Sequence, residues 1–223
     1  MFLLDWFAGA PTPALVGERI TLRAPRASDY EQWRSLRAAS RSFLVPWEPA
    51  WSAEELSRAS FDARLSRYRQ DARARHGHAF FLFETDSQRL CGGITLGNIR
   101  RGVAQMGTLG YWMGERFAGR GLMAEAVRSV STYAFEVERL HRLEAACLPR
   151  NARSIALLEK SGFTYEGHLR KYLMIGSVWE DHRLYSLLVD DLADSRWSIT
   201  EGARVLRENG AQGVLPFVLA LSA

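Results

Sequence analysis

With 223 residues, 47% of them hydrophobic and 24% charged, the chain has the make-up of one globular domain plus a short appendage, which excludes a disordered or fibrous protein. Its net charge is +4, from 29 basic and 25 acidic residues, and every basic residue except Lys160 and Lys171 is arginine. A mild excess of arginine, whose planar head grips phosphate in a forked geometry, suits an anionic small ligand, and the lack of a dense basic tract argues against a nucleic-acid partner.

In chain order, the start MFLLDWFAGA has no Lys or Arg ahead of its apolar run and contains Asp5. Residues 1–16 are therefore read as a tip rather than a signal peptide. GERITLR, residues 17–23, alternates as a strand does, and residues 27–39 read as a helix capped around Ser28 and Asp29. Residues 42–51, SFLVPWEPAW, form a loop stiffened by Pro46 and Pro49, and an Arg- and Ala-rich helix is expected over 53–73. Strands follow at 79–84, 90–96 and 105–114, a hairpin series that implies antiparallel pairing. Leu122, Ala126, Val130, Tyr133, Ala134 and Val137 recur near a period of 3.6 and mark a long helix. A strand at 143–148, a helix at 151–161 stopped by Gly162, and strands at 163–175 and 178–189 close the domain, which is set at 17–189. Beyond it, 190–223 is an extension with one more helix expected at 199–207, and its end GVLPFVLALSA is too short to span a bilayer. Cys91 and Cys147 both lie in apolar, strand-like stretches, the pattern of buried thiols in a reducing compartment, so a cytoplasmic protein without membrane attachment is expected. The order of elements describes an α+β (α/β) fold, a mixed and mostly antiparallel sheet with helices on its faces.

The stretch RFAGRGLMAEAV, residues 116–127, places Gly119 and Gly121 at the mouth of the long helix, with Arg116 and Arg120 beside them. A helix N-terminus carries unpaired N–H groups and about half a positive charge, and glycine lets backbone approach a ligand without a Cβ in the way. A diphosphate fits such a place. A Gly-x-Gly pair also occurs in plain tight turns, so this motif alone leaves both readings open.

The full spacing is more selective. Arg116-x-x-Gly119-x-Gly121, set between the strand ending Gly110-Tyr111-Trp112-Met113 and an apolar helix, resembles the acetyl-CoA loop of the GNAT acetyltransferases. Asn151-x-x-Ser154, then Leu158 to Phe163, then Glu166-Gly167, is similar to that family's second signature. The pattern PWEP at 46–49 and Trp179-Glu180-Asp181-His182 resemble the ribosomal-protein-alanine N-acetyltransferase branch of RimJ and RimL type.

The resemblance implies a GNAT fold, acetyl-CoA as cosubstrate, no metal, and a primary amine as acceptor. It implies cosubstrate contacts at Met113, Gly114, Arg116, Phe117, Ala118, Gly119, Arg120, Gly121 and Leu122, with a backbone N–H near Met113 facing the thioester oxygen. Asn151 is a candidate for the pantetheine arm or a plain helix cap. Ser154 is a candidate to protonate the leaving thiolate or a first-turn serine facing water. Lys160 and Arg153 are candidates for the adenosine phosphate or a solvated helix face. Relatives carry a carboxylate before the glycine loop or after the second signature; Gly107, Thr108 and Leu109, and Tyr172 and Leu173, stand there instead. Of the carboxylates left, Glu48, Glu144, Glu180 and Asp181, the base is assigned to Glu48 or a water relay, and Asp181 is expected to pair with a neighbouring arginine. Trp47 and Trp51 either wall the acceptor groove or staple the loop. The acceptor is expected to be a protein N-terminus, such as a ribosomal protein's, bound by a monomer or homodimer. A small-molecule amine, or a CoA-binding sensor without turnover, are the other readings.

Overall fold

Apolar runs of period two build the centre of the molecule. The computed structural model describes residues 12–189. Eight strands form one sheet: β1 (Leu15–Val16), β2 (Ile20–Arg23), β3 (His78–Glu84), β4 (Leu90–Arg100), β5 (Met106–Met113), β6 (Arg142–Cys147), β7 (Thr164–Ile175) and β8 (Val178–Leu188). Their order is β1-β2-β3-β4-β5-β6-β8-β7. Every neighbouring pair is antiparallel except β5 with β6. Among the described residues five α-helices accompany the sheet: α1 (Tyr30–Ala39), α2 (Arg41–Leu44), α3 (Arg58–Arg73), α4 (Leu122–Thr132) and α5 (Ala152–Lys160).

The alternation of β3 shows how the layers form. Phe81 faces α1 and α3, where Phe61 stands 6.4 Å away, centroid to centroid, and Trp33 packs 4.9 Å from Phe61. Phe80 faces the opposite side and meets Tyr133, just beyond α4, edge-on at 5.9 Å. Because β3 is buried over its whole length, both faces are covered. Removing side chains such as Phe61 and Phe80 from water contributes about 1.5–3 kcal/mol each.

Several boundaries differ from the sequence reading. Leu15 and Val16, assigned there to the tip, pair with Leu22 and Thr21 as an edge strand. The second long helix begins at Arg58 rather than near 53, because the Ser57 hydroxyl accepts the Ser60 amide at 3.1 Å and caps it. The loop at 42–51 carries the short helix α2 and a 3-10 turn at Val45–Trp47. The long helix passes into a π-turn at Tyr133–Val137. The extension, the helix expected at 199–207 and most of the tip lie outside the described residues.

The π-turn delivers Glu138 into a buried polar knot. Its carboxylate meets His78 Nε2 at 3.0 Å and accepts from the Tyr133 hydroxyl at 3.0 Å, and Arg101 pairs with it. The hydrogen bond to His78 is the main reason that the Glu138 carboxyl is held down to about 2. The knot ties the start of β3 and the β4–β5 hairpin to the end of α4.

The feature that positions the site is a partial pairing. β5 and β6 pair only from Met106–Arg142 to Thr108–Glu144. Beyond Thr108, β5 runs on to Met113 beside β4, while β6 runs on beside β8. The sheet therefore splits, and one edge of β5 is left open.

Candidate active site

The open edge has a defined polarity. The Gly114 amide donates to Cys91 O of β4 at 2.8 Å. Antiparallel alternation then turns the amides of Trp112 and Gly110 toward β4, and those of Met113 and Tyr111 toward the split. The Met113 N–H is thus free of β4 and faces the split. Gly114 serves packing, since a Cβ there would stand 2.4 Å from Leu36 Cδ1.

After β5, a 3-10 turn at Glu115–Phe117 leads to Gly119 and Gly121, whose φ values are 76° and 78°. That left-handed conformation costs glycine nothing and strains a residue with a Cβ. Gly121 caps α4, so the amides of Leu122, Met123 and Ala124 have no partner within the helix. The amides of Gly119, Arg120 and Gly121 also have none among the described residues. By contrast, the Phe117 and Ala118 amides donate within the turn, to Gly114 O at 2.9 Å and Glu115 O at 3.0 Å. The Phe117 ring is buried, with the guanidinium carbons of Arg116 and Arg120 at 4.7 and 5.7 Å from its centre. This corrects the expectation that Phe117 and Ala118 contact the cosubstrate through their amides: Phe117 anchors the loop, and the free donors run from Gly119 to Ala124. Leu122 offers only its amide, because its side chain lies in the core.

Ion pairs hold the loop from beneath. Arg120 pairs with Glu84 at 2.9 Å, and Arg19 pairs with Glu125 at 3.1 Å while donating to Arg120 O at 3.0 Å. A hydrogen bond from Ser87, helped by Arg89 and Arg120, keeps the Glu84 carboxyl below its ordinary range. Arg116 is exposed and pairs with no acid among the described residues, so its head is available to an anion.

Across the split, α5 presents Ser154. Asn151 Oδ1 accepts the Ser154 amide at 3.1 Å, so Asn151 is a helix cap in the structure. The Ser154 hydroxyl lies 2.7 Å from the Tyr111 hydroxyl of β5. Ser154 is buried and does not face water. Burial raises the Tyr111 phenol above its ordinary range, so it stays protonated and able to donate. Cys147, at the end of β6, sits beside Ser154, and its thiol is likewise raised by burial. Tyr111 is the residue that the sequence reading missed. Strand alternation turns it to the α5 face, but its partner is 43 residues away, and no local pattern announces that contact. Lys160 stands at the far end of α5, about 9 Å along the axis from Ser154. Arg153 stacks on Phe43 at 4.9 Å.

The opposite face of the split carries the loop expected to meet the acceptor. Glu48 accepts from Arg37 Nη2 at 2.5 Å and from Trp51 Nε1 at 2.7 Å. Arg37 is buried, with its guanidinium carbon 4.5 Å from Trp51 and 5.1 Å from Trp112. Both donors leave the Glu48 carboxylate turned into the protein's own hydrogen bonds rather than toward the split. Trp51 staples Glu48 and lines a cavity together with Trp112. Asp181 pairs with His168 at 2.8 Å and accepts the Lys171 amide at 2.8 Å, rather than binding an arginine, and Glu180 pairs with Arg150 at 3.0 Å. Glu144 is the last residue of β6 to pair with β5, and it lines a cavity with Thr108. Among the described residues, no helix is long and apolar enough to cross a membrane, and no group of three or more His, Cys, Asp or Glu could hold a metal ion.

Comparison with known proteins agrees with this geometry. Residues 19–164 match the family described as Acetyltransferase (GNAT) domain. The chain is 34% identical to the probable N-acetyltransferase YjcK of Bacillus subtilis over 177 residues, which are 79% of this chain and 98% of that one. It is 31% identical to the [Ribosomal protein uS5]-alanine N-acetyltransferase of Escherichia coli over 196 residues, 87% of this chain and 100% of that one. Its fold superposes on Mycobacterium smegmatis RimJ in complex with CoA-disulfide with a TM-score of 0.76 at 28% identity, covering 86% of this chain and 93% of that one. A split sheet, a glycine loop with bare amides and likeness to these proteins over nearly their whole length make the chain a member of the GNAT family, an acetyl-CoA-dependent N-acetyltransferase.

Proposed function

We propose that the acceptor is the N-terminal α-amine of a polypeptide, and that a ribosomal protein in the cytoplasm is the natural one. The observation that carries this is the open groove on the α1 and α3 face, which reaches the split at Thr108 and Glu144 and has room for an extended chain. The relative in Escherichia coli acts on an alanine of a ribosomal protein, which supports the same class of acceptor.

The chemistry follows from the residues in place. Acetyl-CoA lays its diphosphate on the amides from Gly119 to Ala124 beside Arg116, and its pantetheine arm along the open edge of β5. Lys160 and Asn151 stand along the same course. The Met113 amide faces the thioester oxygen, and one such donor is typically worth about 100-fold or more in rate. The amine attacks from the groove side. Its proton leaves through a water relay, because Glu48 is committed to Arg37 and Trp51, and Glu144 to Arg142 at 2.8 Å. The Ser154–Tyr111 pair returns a proton to the leaving thiolate.

Thiol release from acetyl-CoA with a panel of peptides starting with Ala, Ser or Met, beside amino sugars and polyamines, tests this reading. Turnover with peptides at least about tenfold above the small amines is expected. Turnover with small amines alone would replace the polypeptide by a metabolite, and no turnover with any amine would leave a CoA-binding sensor.

A further inference from the structure

Register carries the acceptor face of the sheet across the split. Phe81 is opposite Gly93, and Gly93 opposite Trp112, so Trp112 and, by alternation, Thr108 share the face of Phe81 toward α1 and α3. Thr108 pairs with Glu144 of β6, and Glu144 with Ser186 of β8. His182, at an even spacing from Ser186 on β8, therefore projects from the same face, whereas Tyr111, Cys147 and Ser154 occupy the other. His182 is one residue past Arg183, whose partner is Cys147, so its level on β6 is that of Leu148. Counted from the Thr108–Glu144 pair, the matching level on β5 is Trp112, next to Met113. Along the strands His182 is thus within about 3 Å of the Met113 amide, and to the side it stands two strand spacings away, about 10 Å before the split widens.

The ring of His182 has a fixed proton. Its Nδ1 lies 3.0 Å from the Glu180 carbonyl oxygen. A carbonyl only accepts, so Nδ1 carries the hydrogen, and in the neutral ring Nε2 keeps a lone pair. Nε2 has no hydrogen-bond partner among the described residues. Tyr172 meets the ring edge-on at 5.9 Å and lines a cavity of 650 Å³ together with Thr108 and Glu144, which sets the imidazole one ring behind that space. The acids around it are engaged: Glu180 with Arg150 at 3.0 Å, Asp181 with His168 at 2.8 Å, Glu144 with Arg142 at 2.8 Å and Glu48 with Arg37 at 2.5 Å. Arg183 turns to the other face, 5.8 Å from Tyr165, and Arg170 and Lys171 in the bulge of β7 are exposed. His76 lines the same cavity, but it bonds Ile99, six residues or about 20 Å along β4 from Gly93.

We infer that the water relay serving the acceptor amine ends on Nε2 of His182. This role rests on the relay proposed above and is the same for a polypeptide or a small amine. The incoming ammonium gives one proton through water to Nε2, which makes His182 an imidazolium still bonded to the Glu180 carbonyl. The neutral amine attacks, and the C–N bond forms as the C–S bond breaks. The second nitrogen proton replaces the one that the Ser154–Tyr111 pair hands to the thiolate, and His182 releases its proton to solvent. The two faces of the split thus divide the proton traffic, with removal on the His182 side and return on the Ser154 side.

Acetylation of the best acceptor from the amine panel, followed across pH, tests it in the full chain and in His182→Asn and His182→Gln. The Asn side chain keeps a donor for the Glu180 carbonyl but takes up no proton. The expected kcat/KM of both variants near pH 7 is about 10- to 100-fold below the parent, with CoA affinity unchanged. The deficit shrinks above about pH 8, where an α-amine loses its proton unaided. In the parent, the acid limb of the pH profile follows the titration of the His182 imidazole read by NMR, and the ring nitrogen shifts place the neutral ring's hydrogen on Nδ1. A deficit of one size at every pH, an unaltered rate in both variants, or an acid limb that departs from the His182 titration would overturn the inference and leave the ring as packing for Tyr172. If neither variant folds, the two titrations of the parent decide. None of these outcomes bears on the polypeptide reading, which the ranking of acceptors in the panel decides by itself.

Discussion

Ser154 and Tyr111 approach each other from different halves of the fold, and their 2.7 Å contact closes the α5 side of the split. If this pair returns the proton to the thiolate, Ser154→Ala should lower kcat by about 10- to 100-fold with little change in CoA affinity. Tyr111→Phe should lower it by a similar factor, and the double variant should cost little more than either single one, because the two act as a unit. Pre-steady-state kinetics and CoA titration check this; an unaltered kcat in both variants would return the pair to a packing role. Ser154 was legible in the sequence because Asn151-x-x-Ser154 opens a helix with a fixed local geometry. Tyr111 was not, since its partner is set by tertiary packing. Glu48 was legible as a residue of the acceptor loop, but its commitment to Arg37 could not be read, because that arginine lies 11 residues away on another helix.

Among the elements, strands and helices with strong periodicity were legible, as Phe80 and Phe81 show in β3. Local competition moved the boundaries: the Ser57 cap starts α3 later than its alanines promised, and the π-turn ends the long helix early. The π-turn carries the element-scale prediction. Glu138 is held down to about 2 in the fold, first by its hydrogen bond to His78, against an ordinary carboxyl near 4.5. A group lowered in the native state gives stability that is complete above its unfolded value and is lost as pH falls through the folded one. The gap corresponds to at most about 3 to 4 kcal/mol, and with Arg75 and Arg101 open to solvent on one side about 2 kcal/mol is expected. Glu138→Gln should therefore be about 2 kcal/mol less stable than the parent at pH 7, with the deficit shrinking between about pH 4.5 and 2. Urea unfolding at several pH values measures it; a deficit independent of pH would show that the knot acts through shape alone.

For the whole molecule, one parallel pairing among antiparallel ones does the decisive work. β5 and β6 share only three residues, so the sheet opens where the glycine loop, the bare edge of β5 and the Ser154–Tyr111 pair converge. The α+β class and the antiparallel hairpins followed from alternation and turn residues. The place of the split did not, because pairing between β5 and β6 joins segments more than 30 residues apart. The most direct measurement is a crystal structure of the chain with coenzyme A. The expected result has diphosphate oxygens within about 3 Å of amides between Gly119 and Ala124, and the pantetheine arm between β5 and β6. A diphosphate lodged away from the head of α4 would contradict the account.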